Sequence, residues 1–528
     1  MKKRLLSLIL ALCIIISFSP STLAANLPEV DVRTEGLTPA QPQEAPAEKP
    51  RDAGAERRTI YVSNEGTEED DGATAETPTT LARATELANE GKKPVEIVVL
   101  GQVSVDTWTS PTVETTLRGG DENAELLFEY CSASDGAYNI SLADALTIDD
   151  IKFNCNYTDY FFSRYYGTYT IVANGYPLVI ASGVQCSYYT ADTIVDGKTC
   201  STSSCYVIGG GLDEDITGGT HVEIYTSLPL TYVYGGGVNG SVESNVYLHI
   251  ENCGKIQHVR AGGYANKKDA KVNGNITLDF INSVTDNPIY GGGYARSSYS
   301  AEVTGSICIN LSGLNNGFGR PIYGGGYGKN APVVGNIRFN ISNTKMNNNA
   351  AAIYGGGYNS DVTGDIFIHI KENSLISEET VWGGGTGDST ITGGVTITVD
   401  DSSEVIGEIR AGGNEGADVI GDVVITVSGG PQSACPTIFA TGKGEDEDNP
   451  AQVDGNVSIT LHGSRANVYT LDKFGEVTSD HTVTIILDDT DELSGAVRGD
   501  SKLDQHLYNH EKDNPTRTGN GASVIVKG

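Results

Sequence analysis

A glycine-centred hexapeptide, Ile-Tyr-Gly-Gly-Gly-Tyr, constrains the fold of this chain more than any other feature. It occupies residues 289–294, 322–327 and 353–358. Related segments with three glycines lie on both sides, at 207–211, 233–237 and 381–385, and a looser form carries arginine before the glycines, at Arg260 and Arg410. Recurrence of this kind is typical of repeat proteins, in which each repeat buries its apolar face only against its neighbours.

The residue that precedes the glycines serves as a register mark for every repeat. The marks are Ile208, Tyr234, Arg260, Tyr290, Tyr323, Tyr354, Trp382, Arg410, Phe439, Tyr469 and Arg498. The ten intervals between 208 and 498 average about 29 residues, which leaves room for two or three strands and none for a helix. We therefore predict that each repeat is one coil of a parallel β-solenoid.

A second pattern in each repeat predicts a strand with one buried face. Residues 272–278 have the sequence Val-Asn-Gly-Asn-Ile-Thr-Leu, and the same turn glycine followed by alternating apolar and polar residues occurs at 303–309, 362–368 and 453–459. Alternation of this kind places successive side chains on opposite faces of a strand. The apolar set should fill the interior of the coil.

Two segments precede the part that we expect to be ordered. Residues 1–25 combine a basic start, an apolar run from Leu5 to Phe18 and small residues near Ala25, as in a secretory signal peptide. Residues 26–58 are rich in Pro, Ala and Glu and should form a disordered linker. The sequence thus predicts a secreted, extracellular protein that could associate with a cell surface.

The ordered part should divide into three regions. Residues 59–204 should form a less regular, capped beginning, with strands at 59–63, 95–100, 126–130, 146–153 and 178–180. Its helix, between Pro78 and Ala88, places Leu81, Ala84 and Leu87 on one face, and Gly91 should end it. Residues 205–502 should form the regular coils. Residues 503–528 lose the register and should form a C-terminal cap or tail.

The composition excludes several partners. The formal net charge of −33 argues against nucleic acid and anionic membranes, because their phosphates require clustered Lys and Arg. Beyond the signal, no apolar run approaches the ~20 residues needed to insert into a membrane. The acidic loops at 68–71, 213–215 and 445–448 lack EF-hand spacing and are typical of solvated loops. We therefore expect no cofactor and leave only Ca²⁺ open.

The cysteines leave two alternatives open. Export permits disulfide bonds, and Cys131 with Cys155 or Cys200 with Cys205 are close enough in sequence to be candidates. Buried free thiols acting as small core residues are the other interpretation.

The aromatic residues of the repeat are the candidate binding residues. If Ile289 points into the coil, period-two geometry places Tyr290 and Tyr294 on its outer surface. Across coils this gives one ladder of Tyr234, Tyr290, Tyr323, Tyr354 and Trp382 and a second ladder of Tyr264, Tyr294, Tyr327 and Tyr358. An exposed aromatic strip could bind an extended polysaccharide or a cell-surface glycan. Alternatively, stacked aromatic residues stabilise the solenoid without any ligand.

The sequence contains no convincing catalytic constellation. Asp149-Asp150 is the one neighbouring Asp pair on a clear strand, and His249 and His369 lie on separate strands. Arg498-Gly499-Asp500 matches the integrin-recognition tripeptide, but Arg498 occupies the register position, so we expect it within a strand.

The strand, helix and strand of residues 59–100, the strand at 146–153 and the glycine coils together resemble right-handed parallel β-helices of the pectate-lyase-like superfamily. Within it they resemble adhesin-like secreted or surface proteins of Gram-positive bacteria. The resemblance implies an all-β, right-handed parallel β-helix with a short N-terminal capping helix, and a non-catalytic binding protein. Because the superfamily includes pectate lyases and polygalacturonases, a polysaccharide-active lyase or glycoside hydrolase is the alternative, although no catalytic residues carry over.

Overall fold

The computed structural model describes residues 57–527. Its gaps are 129–137, 156–163, 187–192, 196–197, 255, 316–317, 347–350, 378–379, 430–435, 447, 465, 471, 473, 479–480, 489–496, 499–516 and 519–521. The described chain is a parallel β-solenoid of about 11 turns, as the repeat predicts. It includes no helix long and apolar enough to cross a bilayer.

The largest sheet, which we call the main wall, has 17 strands. Its parallel strands are Arg58–Thr67, Val95–Val99, Thr115–Gly119, Leu146–Asp149, Leu178–Ile180, Thr220–Ile224, Val246–Glu251, Ile276–Ile281, Ile307–Ser312, Ile337–Ser342, Ile366–Lys371, Val395–Val399, Val423–Ser428, Val457–His462, Val483–Asp488 and Ala522–Lys527. The strand Arg517–Thr518 pairs with the last of these in the antiparallel sense, so a hairpin forms the last described element.

The second wall has 15 strands and contains the register marks. Its strands are Trp108–Thr109, Ile140–Ser141, Arg164–Val172, Thr193–Val195, Lys198–Ile208, Leu230–Tyr234, Ile256–Arg260, Ile289–Tyr290, Ile322–Tyr323, Ile353–Tyr354, Thr380–Trp382, Glu408–Arg410, Thr437–Phe439, Asn467–Tyr469 and Val497–Arg498. Each mark from Ile208 to Arg498 pairs with the next one, so the predicted register is confirmed.

Four shorter sheets complete the coils. They comprise Gln102–Val105, Glu125–Phe128, Lys152–Cys155 and Gln185–Cys186; Tyr264–Ala265 and Tyr294–Ala295; Val333–Val334, Val362–Thr363, Thr390–Thr392, Asp418–Ile420, Ala451–Asp454 and Gly475–Val477; and Lys345–Met346, Leu375–Ile376 and Glu404–Val405. The four-stranded sheet belongs to the less regular first part of the solenoid.

The main wall shows why the alternating segments of the repeat form strands. In the strand Ile276–Ile281, Ile276, Leu278 and Phe280 are buried, whereas the residues between them are partly exposed. Each pairs with an apolar residue of the next strand, as Phe280 does with Leu311. The coil interior is therefore a continuous stack of apolar side chains, and each coil stabilises its neighbours.

The single helix of the described chain, Leu81–Gly91, covers the first coil. The side chain of Thr80 accepts a hydrogen bond from the backbone N–H of Arg83, which satisfies one of the free donors at the helix start. Leu81, Ala84 and Leu87 are buried in the same core as the first strand. The predicted helix and its apolar face are confirmed.

One strand prediction was wrong in part. The segment 146–153 forms two strands, Leu146–Asp149 in the main wall and Lys152–Cys155 in the four-stranded sheet. Asp150 has φ 44° and lies at the corner between them. Asp residues adopt this left-handed conformation more readily than most, so the polar break in the pattern marks a corner.

The corners after the main-wall strands also have a recurring chemistry. Asn252, Asn282 and Asn343 follow three of these strands and have φ between 46° and 58°. Side chains elsewhere join consecutive coils: Asn275 Oδ1 accepts a hydrogen bond at 2.8 Å from the backbone N–H of Ser306. Asn336, Asp365 and Asp422 accept the same kind of hydrogen bond, so in these repeats the polar residue after the turn glycine links one coil to the next.

The cysteine alternatives are decided for part of the chain. Cys200 and Cys205 lie in one strand, Lys198–Ile208, five residues apart. A strand rises ~3.3 Å per residue, so their Cα atoms are too distant for a disulfide bond, which requires less than ~7 Å. That candidate pair was wrong. Cys253 and Cys308 are free thiols, and Cys131 lies outside the described residues.

Candidate functional site

The glycines that follow Tyr290 and Tyr323 bend the second wall towards the main wall. A Cβ atom added to Gly291 would lie 2.7 Å from Ile309 Cδ1, and one added to Gly324 would lie 2.6 Å from Ile337 Cγ2. Both isoleucines project from the main wall into the core. The backbone of these two glycines therefore contacts the opposite wall directly, and even a Cβ atom there would force a shift.

Because the wall bends inward at the glycines, the outward side chains on either side of the bend turn towards each other. The rings of Tyr290 and Tyr294 are 5.5 Å apart at an angle of 76°. Tyr290 also meets Tyr327 of the next coil, at 5.5 Å and 78°. These edge-to-face contacts are a favourable arrangement of aromatic rings. The two predicted ladders thus form one feature, which we call the aromatic seam.

Along each ladder the rings stack face to face. In the first ladder the centroids of Tyr290 and Tyr323 are 5.1 Å apart, those of Tyr323 and Tyr354 4.8 Å, and those of Tyr354 and Trp382 5.7 Å. In the second ladder the distances are 4.2 Å between Tyr294 and Tyr327 and 5.1 Å between Tyr327 and Tyr358. Tyr234 and Tyr264 extend the seam, 5.8 Å apart. The structure brings all nine predicted residues together.

The predicted exposure of these residues was wrong for six of the nine. Tyr234, Tyr290, Tyr294, Tyr323, Tyr354 and Trp382 are only 3%, 8%, 6%, 6%, 8% and 5% exposed. The two ladders cover each other across the glycine bend, so an outward side chain is buried without entering the coil interior. Tyr264, Tyr327 and Tyr358 remain partly exposed. Only this part of the seam presents ring surface to a ligand, and its role in binding remains a prediction.

Burial also fixes the protonation state of the seam. It raises the pKa of Tyr354 to about 12, although a hydrogen bond with Asn414 acts in the opposite direction. Burial likewise raises the pKa of Tyr290 and Tyr323 well above the usual tyrosine range. The hydroxyl groups of these three tyrosines are therefore neutral at physiological pH, and each can donate or accept a hydrogen bond.

Arg260 occupies the register position one coil before Tyr290 and is surrounded by rings. Its guanidinium carbon lies 3.5 Å from the ring centroid of Tyr294, 5.0 Å from that of Tyr264, 5.2 Å from that of Tyr232 and 5.4 Å from that of Tyr234. The electron-rich faces of aromatic rings attract such a cation. The residue is only 4% exposed, so the rings replace most of its hydration.

The hydrogen bonds of Arg260 are incomplete. Nη1 donates to the hydroxyl of Tyr234 at 3.2 Å, and this is its one hydrogen bond within the described chain. Nε is buried and has no acceptor there. A buried donor without an acceptor costs about 1–3 kcal/mol, more for a charged group. The sequence showed the arginine as a replacement in the register but not the four rings, which converge from several coils.

Arg410 occupies the same register position further along and has its acceptors. Its Nε donates to Glu408 at 2.8 Å, and its Nη1 donates to Asp472 at 2.6 Å. The guanidinium carbon also lies 3.8 Å from the ring centroid of Phe439. The two arginines thus share a position but differ in their anionic partners.

A separate polar cluster lies on the outer face of the main wall. His221 contacts Glu223 at 2.6 Å on the strand Thr220–Ile224. On the next strand, the hydroxyl of Tyr247 donates a hydrogen bond at 2.9 Å to Asp279, which lies on the strand after that. His249 lies between the carboxylates of Asp279 and Glu251, at 3.3 Å and 3.2 Å. The cluster brings carboxylates of different coils together, which the sequence could not show.

The carboxyl groups of this cluster are strongly hydrogen-bonded. The hydrogen bond from His221 holds the pKa of Glu223 below its usual range despite burial. Burial by itself raises the pKa of Asp279, but hydrogen bonds from His249, Asn310 and Tyr247 outweigh it and the pKa lies below the usual range. Both groups are ionised at neutral pH, so neither can act there as a general acid.

The remaining predicted positions lie apart from the seam. Asp150 is at its corner, and Arg498 pairs with Tyr469 in the second wall as predicted, whereas Gly499 and Asp500 lie outside the described residues. His369 pairs with Asp400 on another part of the main wall. Among the described residues, no group of His, Cys, Asp or Glu is placed to hold a metal ion.

The fold and the seam together define a parallel β-solenoid with a mostly buried pair of aromatic ladders, the first of which is interrupted by Arg260. Comparison with known proteins gave no match: no family model, no curated protein and no solved structure corresponds to this chain.

Proposed function

We propose that this protein is a secreted or cell-surface, adhesin-like β-solenoid that binds an extended glycan along the aromatic seam without chemical conversion. The observation that carries the proposal is the register of Tyr264, Tyr327 and Tyr358. These partly exposed rings belong to one ladder. Tyr290 backs Tyr327, Tyr323 backs Tyr358, and Tyr234 backs Tyr264. Sugar rings stack on aromatic faces, and an extended chain can follow successive coils.

The packing of the seam favours binding because the rings are already ordered. Tyr327 stacks on Tyr294 at 4.2 Å and on Tyr358 at 5.1 Å. A ring held between neighbours loses little further freedom when a ligand binds, so more of the contact energy appears as affinity. The resemblance to adhesin-like β-helix proteins and the apolar segment of residues 5–18 support the secreted location.

The proposal is tested with the triple variant Tyr264→Leu, Tyr327→Leu and Tyr358→Leu, titrated with oligosaccharides that the unmodified protein binds on a glycan array. Leucine preserves apolar packing but removes the flat ring. If each ring contributes about 1 kcal/mol, affinity should fall roughly 100-fold. The matched control is Tyr176→Leu with Tyr299→Leu, because these tyrosines are 40% and 41% exposed and lie outside the seam. Equal affinities of the triple variant and the control would refute the proposal.

A polysaccharide-active enzyme is the second candidate, and the polar cluster of the main wall favours it. Asp279 and His249 lie on adjacent strands and are hydrogen-bonded. His249 is the group that could supply a proton, because its hydrogen bonds to Asp279 and Glu251 outweigh the effect of burial and raise its pKa. Cleavage of a polysaccharide that disappears in His249→Gln, but not in the triple seam variant, would establish this function in place of the first.

A further inference from the structure

Arg260 indicates the chemical class of a ligand group. Its guanidinium is held by four tyrosine rings and one hydrogen bond to Tyr234, and its Nε has no acceptor in the described chain. The fixed planar arrangement of arginine donors matches the paired oxygens of a carboxylate or sulfate group. The side chain is therefore oriented but not fully bonded.

The comparison with Arg410 shows what the missing partner would supply. Two residues before Arg410, Glu408 places a carboxylate on Nε at 2.8 Å. Two residues before Arg260 stands His258, which stacks on Tyr232 at 4.4 Å instead. The acceptor that the chain provides for Arg410 is thus lacking for Arg260, although both side chains are about equally buried.

The surroundings of Arg260 are positive in a chain whose net charge is −33. The guanidinium carbon of Arg296 lies 5.5 Å from the ring centroid of Tyr294, which Arg260 also contacts. Burial and then the charges of Arg260 and Arg296 lower the pKa of His258 to about 4, so the histidine adds no charge at neutral pH. Lys267 and Lys268 are exposed just after Tyr264, and the exposed Asp269 follows them. Arg260, Arg296 and the two lysines outnumber this carboxylate, and a local excess of positive charge attracts anions.

We propose that Arg260, within the cage of Tyr232, Tyr234, Tyr264 and Tyr294, is a subsite for an oxyanion, the carboxylate or sulfate group of an acidic sugar. That the oxyanion belongs to a sugar rests on the proposed glycan binding, whereas the oxyanion site itself does not depend on that proposal. Tyr232 and Tyr264 are only partly buried, so a rotamer change of either ring opens a path to Nε and Nη2. The seam would then bind acidic glycans in preference to neutral ones.

The test is calorimetric titration of the full chain with three hexasaccharides of equal length, one neutral, one made of uronic acids and one sulfated. We expect at least one acidic ligand to bind more tightly than the neutral one, and Arg260→Gln to weaken that ligand about 10- to 100-fold while leaving the neutral ligand unchanged. Arg410→Gln is the matched control and should not change the preference. Preference for the uronic acid over the sulfated ligand identifies a carboxylate subsite, and the reverse identifies a sulfate subsite.

A second measurement needs no glycan. The unfolding midpoint is compared in sodium sulfate and sodium chloride at equal ionic strength for the unmodified protein, Arg260→Gln and Arg410→Gln. Sulfate also stabilises folded proteins in general, but this effect is the same for all three proteins and cancels when their shifts in unfolding midpoint are compared. Extra stabilisation by sulfate that is lost only in Arg260→Gln supports the subsite, even if no hexasaccharide binds. Failure of every hexasaccharide to bind would refute the proposed glycan binding but not the subsite. An equal response of all three proteins, with no change of glycan preference in Arg260→Gln, would overturn the subsite.

Discussion

The carboxylate of Asp472 lies 2.6 Å from Nη1 of Arg410, although 62 residues separate them in sequence. The arginine side chain is 5% exposed and the aspartate side chain 23% exposed. This ion pair joins residues of different coils and lies largely out of water. Removing Asp472 leaves the buried guanidinium of Arg410 with Glu408, whose side chain is 41% exposed, as its one anionic partner among the described residues, so part of the compensation of its charge is lost.

We therefore predict that Asp472→Asn destabilises the last coils by about 3 kcal/mol. Urea unfolding and amide hydrogen exchange should locate the loss near Arg410 and Phe439. The control is Asp388→Asn, which removes the pair with Lys329, whose two side chains are 69% and 71% exposed. That change should cost less than about 1 kcal/mol, because exposed ion pairs contribute little. Similar losses in both variants would contradict the prediction.

The glycine bend gives a second prediction. In Gly324→Ala the new Cβ would clash with the backbone oxygen of Gly355 in the next coil and would lie 2.6 Å from Ile337 Cγ2, so the neighbouring backbone or the opposite wall must shift. Overpacking of this kind should cost about 1–3 kcal/mol or more in the free energy of unfolding. Gly218→Ala is the matched control, because a Cβ there would meet nothing within 4 Å. A stability of Gly324→Ala equal to that of the control would show that the bend is not close-packed.

The two ladders of the seam should differ in their effect on stability. Tyr323 is 6% exposed and stacks on both neighbours of its ladder. Tyr323→Ala should therefore cost about 3–5 kcal/mol, as for other buried aromatic residues. Tyr327→Ala removes a partly exposed ring and should cost clearly less. Denaturant titration of the two variants decides this, and a larger loss in Tyr327→Ala would contradict the assignment of the buried ladder.

The polar cluster predicts a pH dependence. Burial lowers the pKa of His249, but its hydrogen bonds to Asp279 and Glu251 outweigh it, so the pKa is raised in the folded protein. The stabilisation is therefore complete below the unfolded value of about 6.5 and is lost as the pH rises through the folded pKa. His249→Gln should destabilise the protein more at pH 5.5 than at pH 8.5, measured by urea unfolding.

The carboxylate partners of His249 define the other end of this window. The pKa of Asp279 lies below its usual value, so its contribution is present above about pH 4 and disappears as the pH falls. Glu251→Gln should reduce the difference between pH 5.5 and pH 8.5, because a neutral amide replaces one of the two carboxylates that stabilise the charged imidazole. An equal effect of His249→Gln at both pH values would show that the histidine is not stabilised in its charged form.

The sequence predicts the coil register well because the register depends on local patterns. The marks from Ile208 to Arg498 and the alternating strands follow from spacing alone. The capping helix follows from the periodicity of Leu81, Ala84 and Leu87. Each of these features requires only residues that are near one another in sequence.

The burial of the seam could not be predicted in the same way. Period-two geometry distinguishes the two faces of a strand, but it does not show that the outer faces of 289–290 and 294–295 meet across the bend. The direction of that bend depends on contact between Gly291 and Ile309 of the main wall. The cage of Arg260 and the cluster around His249 likewise assemble side chains from several coils, so no sequence window contains them.

The inward bend at the glycines constrains the shape of the seam, whereas the chain that follows the second ladder can vary in length. At Gly291 and Gly324 the main chain contacts Ile309 and Ile337, so a larger residue at either position requires the core to shift. The corner after the second ladder differs in length between repeats, with 12 residues from Tyr294 to Ile307 but only seven from Tyr358 to Ile366 in the intervening chain. A lineage can therefore change which groups border the seam while its shape stays constant, which would allow one scaffold to diversify its ligands repeat by repeat.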